Sequence, residues 1–214
     1  MANPQILDLE EYCSFYSEPE NPLLAEITRY TNLSQVYPRM LSGHLQGRLL
    51  SLISKLIKPL HILEIGTFTG YSALCLAEGL QEGGTLITLE RNPEMEEAAS
   101  RFFTKSIYNQ QIKLMVGDAT VIIPSLETSF DLVFIDADKS EYLTYYHAVI
   151  EKVKTGGILL ADNVLWGGKV LSPPENPDKE LKGIQDFNAF VRSDARVENL
   201  VLPIRDGISV IRKK

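Results

Sequence analysis

Five short apolar runs, at 62–65, 85–89, 112–116, 132–135 and 158–161, alternate with stretches of helical pattern. Strands separated by helices pair in parallel through crossovers, so this alternation predicts an α/β fold: an open, mostly parallel sheet with helices on both faces. The end of the chain differs, because the β-like runs at 197–204 and 208–212 are separated only by Arg205-Asp206-Gly207. So short a connection requires an antiparallel pair, and the expected sheet has seven strands with the last one reversed. Ahead of residue 62 the chain reads as helical. Leu45, Leu49, Leu52, Ile53 and Leu56 give an apolar stripe at helical spacing over 41–57, while Pro19 and Pro22 break what precedes it. The expected organisation is a single domain over 1–214, with a helical amino-terminal extension (1–40) and a core (41–214).

Two strand ends carry the chemistry. The run Leu132-Val133-Phe134-Ile135 leads into Asp136-Ala137-Asp138-Lys139, and 156–161 leads into Asp162-Asn163, with a helical segment over 141–154 between them. In a βαβ unit both carboxyl ends open on the same sheet edge. Asp136, Asp162 and Asn163 are hard oxygen donors with no histidine or thiolate set beside them, which favours Mg²⁺, Ca²⁺ or Mn²⁺ over zinc. Either cluster alone reads equally as an Asx-turn or a helix cap. Lys139 by itself reads as a surface lysine paired with Glu141 or Asp138.

Composition excludes several classes. The 214 residues are 44% hydrophobic and 23% charged, enough for a sizeable core. A formal net charge of −7, with no basic run beyond Arg212-Lys213-Lys214, disfavours extended nucleic-acid binding. No apolar run approaches the roughly 20 residues of a membrane span, and Met1-Ala2-Asn3-Pro4 lacks the parts of a signal peptide, so the expected compartment is the cytoplasm. Cys13 and Cys75 have no disulfide or metal spacing, and Cys75 reads as a buried helix residue. His44, His61 and His147 sit in no catalytic pattern.

The segment 61–72 reads as strand, glycine turn and helix start, the first βα junction of a doubly wound fold. Its pattern is Glu-x-Gly-x-x-x-Gly, so the third-glycine spacing of the dinucleotide fingerprint fails and a nicotinamide-dependent dehydrogenase is disfavoured. Glu64 would repel a pyrophosphate but favour a sulfonium and an ammonium, the charges of S-adenosylmethionine. Glu90 ends the second strand about 20 residues beyond Gly70, where an acidic side chain accepts ribose hydroxyls. Gly117-Asp118-Ala119 either frames an adenine or simply turns the chain. The proline-rich loop at 172–177 is either a cover for the site or a passive connection.

These residues resemble the cation-dependent O-methyltransferases, the caffeoyl-CoA and catechol O-methyltransferase-like family. The resemblance spans roughly 40–212 and rests on L-E-I-G-T-F-T-G-Y-S, F-I-D-A-D-K, A-D-N-V-L-W and L-P-I-R-D-G-I-S-V. It implies a Rossmann-like class I methyltransferase fold and S-adenosylmethionine held by Met40, Ser42, Glu64, Gly66, Thr67, Ser72, Glu90, Ala119 and Asp138. It further implies a divalent metal on Asp136, Asp162 and Asn163, catalysis by Asp136 and Lys139 with Lys139 as base, Trp166 against a flat substrate, and a homodimer. The implied acceptor is a small catechol-type aromatic. Similar bacterial enzymes methylate hydroxylated uridine in tRNA, which makes tRNA the alternative substrate; a cofactor-binding protein without catalysis is a further alternative.

Overall fold

The computed structural model describes residues 9–172 and 174–214; Met1-Ala2-Asn3-Pro4 and Pro173 of the proline-rich loop lie outside the described residues. Helices α1 (Leu9–Phe15), α2 (Pro22–Ser34) and α3 (Gly43–Ile57) precede β1 (His61–Ile65). The chain then alternates through α4 (Tyr71–Ala77), β2 (Thr85–Glu90), α5 (Glu96–Lys105), β3 (Ile112–Val116), α6 (Ala119–Ser125), β4 (Phe130–Ile135), α7 (Tyr142–Ile150) and β5 (Val153–Ala161). It closes with α8 (Lys179–Ser193), β6 (Val197–Leu202) and β7 (Ile208–Lys213).

The seven strands lie in the order β3-β2-β1-β4-β5-β7-β6. Pairing is parallel from β3 to β5, and β7 runs antiparallel to both neighbours, as the short connection at 203–207 requires. Strand alternation sorts the core into two layers. Leu63, Ile65, Val133 and Ile135 pack with residues of α6, α7 and α8, whereas Ile62, Leu132, Phe134 and Leu160 pack with residues of α2, α3, α4 and α5. No helix among the described residues is long and apolar enough to cross a membrane.

Three sequence expectations need correction. The helix expected over 141–154 ends at Ile150, and β5 starts at Val153 because Val153 already pairs with Phe130. Gly156 and Gly157 therefore lie inside the strand, and Gly156 takes a φ of +81° near the register shift between Phe130 and Leu132. Helix α3 starts at Gly43 rather than 41, since Leu41 is extended after a 3₁₀ turn at Pro38–Met40.

The buried face of α3 is also not the leucine stripe. It consists of Gln46, Gly47, Leu50, Ser51 and Ser54, while Leu52 and Leu56 are exposed. Close helix approach is the reason: a Cβ on Gly47 would stand 2.7 Å from the Tyr71 ring and 2.9 Å from Cys75 Sγ. Ser54 Oγ then donates to the Leu76 carbonyl at 2.6 Å, which a leucine cannot do. Pro22 opens α2 at its first turn behind the Asn21 cap, a position that tolerates proline. Cys75 is fully buried on α4.

Candidate active site

The chain leaves β1 for α4 on one face of the sheet and leaves β4 for α7 on the other, so a crevice opens beyond the carboxyl ends of these adjacent strands. The ladder continues past the strands and fixes its rim: Asp136 N–H donates to Ile65 O at 2.9 Å, and Asp162 N–H to Ile135 O at 3.0 Å. Gly66 has a φ of +102°, and a Cβ there would collide with the Asp136 carbonyl oxygen, so only glycine lets the two loops meet. Above them lies a cleft of about 900 Å³, large enough for a cofactor and a small acceptor together.

Met40, Ser42, Gly66, Thr67, Ser72, Glu90, Ala119 and Asp138 all line this cleft. Glu90 accepts the Phe68 N–H at 2.7 Å and the Asn92 N–H at 2.8 Å, one on each oxygen, which leaves each oxygen a further lone pair. Asp138 caps its own turn, accepting from Ser140 N at 3.0 Å and Ser140 Oγ at 2.7 Å, with Arg91 at 3.9 Å. Asp118 lies off the cleft wall; its Oδ1 caps α6 through Thr120, and its neighbours Gly117 and Ala119 line the wall instead.

Glu64 stands behind the loop rather than on the wall, because it shares the parity of Ile62 and points into the layer of α3 and α4. It is fully buried, Thr88 Oγ1 donates to its Oε2 at 2.5 Å, and its Oε1 has no partner. Burial pushes the carboxyl pKa up to about 8, against the opposing effect of the Thr88 hydroxyl. An orphaned acidic oxygen under the loop is a match for a cationic cofactor.

Asp136, Lys139, Asp162, Asn163 and Trp166 line the same cleft. Asp162 is 3% exposed; its Oδ1 accepts from Asn163 N–H at 2.7 Å and its Oδ2 from Gln46 Nε2 at 2.7 Å. Burial first, and the charge of Asp136 second, push its pKa up. Asn163 adopts φ +57°, a left-handed conformation that asparagine tolerates better than most residues. Among the described residues no three His, Cys, Asp or Glu side chains gather for a metal. The set here is two carboxylates and an amide oxygen, a donor set suited to a hard cation.

Lys139 is not a surface lysine. Its Nζ lies 2.7 Å from Asp136 Oδ1 with only 12% of the side chain exposed. Burial favours the neutral amine, but Asp136 and Tyr142 outweigh it, so the pKa is raised and the ion pair holds the proton. Gly183 lets α8 abut this turn, since a Cβ there would run into the Lys139 carbonyl. Trp166 is held at φ +48° with its Nε1 buried and unpartnered.

None of the described residues of 170–178 lines the cleft, whereas Glu180 at the start of α8 reaches it. Arg39, Arg91, Lys139 and Arg205 face Glu90, Glu94, Asp136, Asp138, Asp162 and Glu180, so the cleft is not a basic patch. Phe68, Arg91, Tyr145 and Arg205 are wall residues that sequence reasoning missed, and Gln46 is a missed neighbour of Asp162. The arginine in L-P-I-R-D-G was legible only as part of a turn.

A profile of the O-methyltransferase family matches residues 13–214. Caffeoyl-CoA O-methyltransferase 1 of Eucalyptus globulus is 36% identical over 178 residues, covering 78% of this chain and 72% of that protein. The SAH-bound methyltransferase of Podospora anserina superposes with a TM-score of 0.88 at 32% identity, over 96% of this chain and 93% of that one. The O-methyltransferase of Bacillus cereus in complex with SAH gives a TM-score of 0.88 at 27% identity, over 95% and 96%. With a match over nearly its whole length and a cofactor loop at the switch point of the matching sheet, the chain belongs to the O-methyltransferase family, as an S-adenosylmethionine-dependent O-methyltransferase of the caffeoyl-CoA O-methyltransferase type.

Proposed function

We propose that the enzyme is a divalent-cation-dependent O-methyltransferase whose acceptor is a small aromatic with two adjacent hydroxyls. The observation that carries this reading is that Asp136, Asp162 and Asn163 line one cleft together with Lys139 and the cofactor loop, with Lys139 Nζ 2.7 Å from Asp136. Mg²⁺ suits such oxygen donors best, with Ca²⁺ and Mn²⁺ as alternatives. When bound, S-adenosylmethionine supplies an electrophilic methyl on a sulfonium, and the cation supplies charge that lowers the pKa of the acceptor hydroxyl.

The residues of the chain do the rest. Glu64 compensates the positive charge of the cofactor from beneath the loop, and Glu90 accepts from its ribose hydroxyls. Asp136 and Asp162 provide the negative charge for the cation, and Asn163 a neutral oxygen. Lys139, 2.7 Å from Asp136, would be the group that accepts the proton of the acceptor hydroxyl, and a cation held by Asp136 would lower the proton affinity of the amine. Trp166 offers a flat face to an aromatic ring. The net reaction breaks a carbon–sulfur bond, forms a carbon–oxygen bond and releases one proton; holding the groups in line contributes up to about 7–11 kcal/mol in well-oriented cases. Exposed Leu9, Tyr12, Phe15 and Tyr16 in and beside α1, with Leu52 and Leu56 of α3, support pairing with a second copy of the chain.

An acceptor panel tests the reading. With Mg²⁺ present, 3,4-dihydroxybenzoate and caffeate are expected to be methylated, and their 4-hydroxy counterparts left untouched, because one hydroxyl cannot chelate. Equal turnover of the monohydroxy compounds would remove the chelation argument, and activity confined to hydroxyuridine-containing tRNA would replace the substrate class. The acid-rich cleft wall speaks against the second outcome.

A further inference from the structure

Gln46 sits on the buried face of α3, fully buried, one turn beyond Ser42. Its Nε2 donates to Asp162 Oδ2 at 2.7 Å across 116 positions of sequence. On the other side of the same amide, Arg205 Nη1 lies 3.4 Å from Gln46 Oε1. The two neighbours agree on the orientation of the amide: a flipped side chain would set its oxygen against a carboxylate and its NH₂ against a guanidinium. Arg205 is itself anchored, since the same nitrogen donates to the carbonyls of Leu41, at 3.1 Å, and Ser42. This ties the turn between β6 and β7 to the entry of α3.

We infer that Gln46 is a positioning residue for the cation site: held by Arg205, it fixes the plane of the Asp162 carboxylate so that the remaining acceptor directions of that group face the cleft. The inference rests on the cation reading above. Each Asp162 oxygen already holds one donor from the chain, Asn163 N–H on Oδ1 and Gln46 Nε2 on Oδ2, so the carboxylate has two fixed points and no free rotation. Tyr142 Oη adds a third restraint by donating to the Asp162 carbonyl at 2.9 Å. A glutamine that merely joined α3 to the sheet would have no effect on metal binding once the fold was intact. One that orients a ligating carboxylate belongs to the outer shell of the site, where removal typically costs about 10–100-fold in metal affinity.

The test is calorimetric binding of Mn²⁺ and, separately, of S-adenosylhomocysteine to the full chain. Gln46→Met keeps the length of the side chain and removes the donor. It is expected to weaken Mn²⁺ binding by about 10–100-fold with S-adenosylhomocysteine affinity unchanged, and in turnover to raise the Mg²⁺ requirement while kcat returns at high Mg²⁺. Wild-type Mn²⁺ affinity in a Gln46→Met protein that still binds S-adenosylhomocysteine would overturn the inference. Asp162→Asn separates the two levels: loss of Mn²⁺ binding there, with none lost in Gln46→Met, sinks the brace alone, whereas no Mn²⁺ binding by the wild type sinks the cation reading and this inference together. Should Gln46→Met fail to fold, Arg205→Lys on the partly exposed hairpin turn gives the same reading, with weaker Mn²⁺ binding expected and unchanged binding contradicting it.

Discussion

Replacing Asp136 with alanine is expected to abolish methyl transfer while leaving S-adenosylhomocysteine binding largely intact. The carboxylate is a ligand in the proposed cation set and the partner of Lys139 at 2.7 Å, so one substitution removes charge from the cation and misplaces the amine. Loss of a direct ligand should exceed the ~10–100-fold typical of an outer-shell partner. The same change strands Lys139 in a site where its side chain is only 12% exposed, and breaking a buried pair from one side can cost about 3–5 kcal/mol. Asp136→Asn separates the two effects, since the amide keeps the shape and an acceptor for Lys139 while removing the charge. Initial rates alongside calorimetry of S-adenosylhomocysteine provide the check. Substantial turnover by Asp136→Asn at ordinary Mg²⁺ would mean the carboxylate charge is not part of the catalyst.

The second large effect is on stability. The Glu64 carboxyl titrates near the ordinary value of 4.5 in the unfolded chain and at about 8 in the folded one, with burial as the leading cause. The folded state therefore binds the extra proton between these values. The stability contribution is fully present below pH 4.5 and is lost as pH rises through 8. At roughly 1.4 kcal/mol per pKa unit the loss approaches about 5 kcal/mol in the cofactor-free chain. Glu64→Gln does not titrate, so its melting temperature should exceed that of the wild type by a margin that grows from pH 5 to pH 8 and then levels off. Cofactor affinity should move the opposite way, because the carboxylate that weakens the empty site is the charge that compensates the sulfonium and ammonium. Thermal unfolding at pH 5 and pH 8.5 without cofactor tests this; a difference independent of pH would show that Glu64 is ionised in the folded chain throughout.

The periodic parts of the fold were legible. Buried parallel strands are apolar on both faces and appear as uninterrupted runs, and a connection as short as Arg205-Asp206-Gly207 permits only an antiparallel return. Asp136, Asp162 and Asn163 were legible for the same reason, since they end strands whose order brings their carboxyl ends together. The buried face of α3 was not: a leucine stripe outweighs Gln46, Gly47, Ser51 and Ser54 in hydrophobicity, yet the small residues are the ones that allow contact with α4. The partnership of Gln46 with Asp162 had no local signal, because it joins elements 116 positions apart. The withdrawal of Glu64 behind the loop was available from strand parity, as it alternates with Leu63 and Ile65 and shares its side with Ile62.

Transfer of labelled methyl from S-adenosylmethionine to 3,4-dihydroxybenzoate, first in excess chelator and then with Mg²⁺ restored, tests the central claim most directly. The account predicts no transfer in chelator and full recovery on restoring Mg²⁺. Transfer undiminished by chelator would contradict a cation held by Asp136, Asp162 and Asn163.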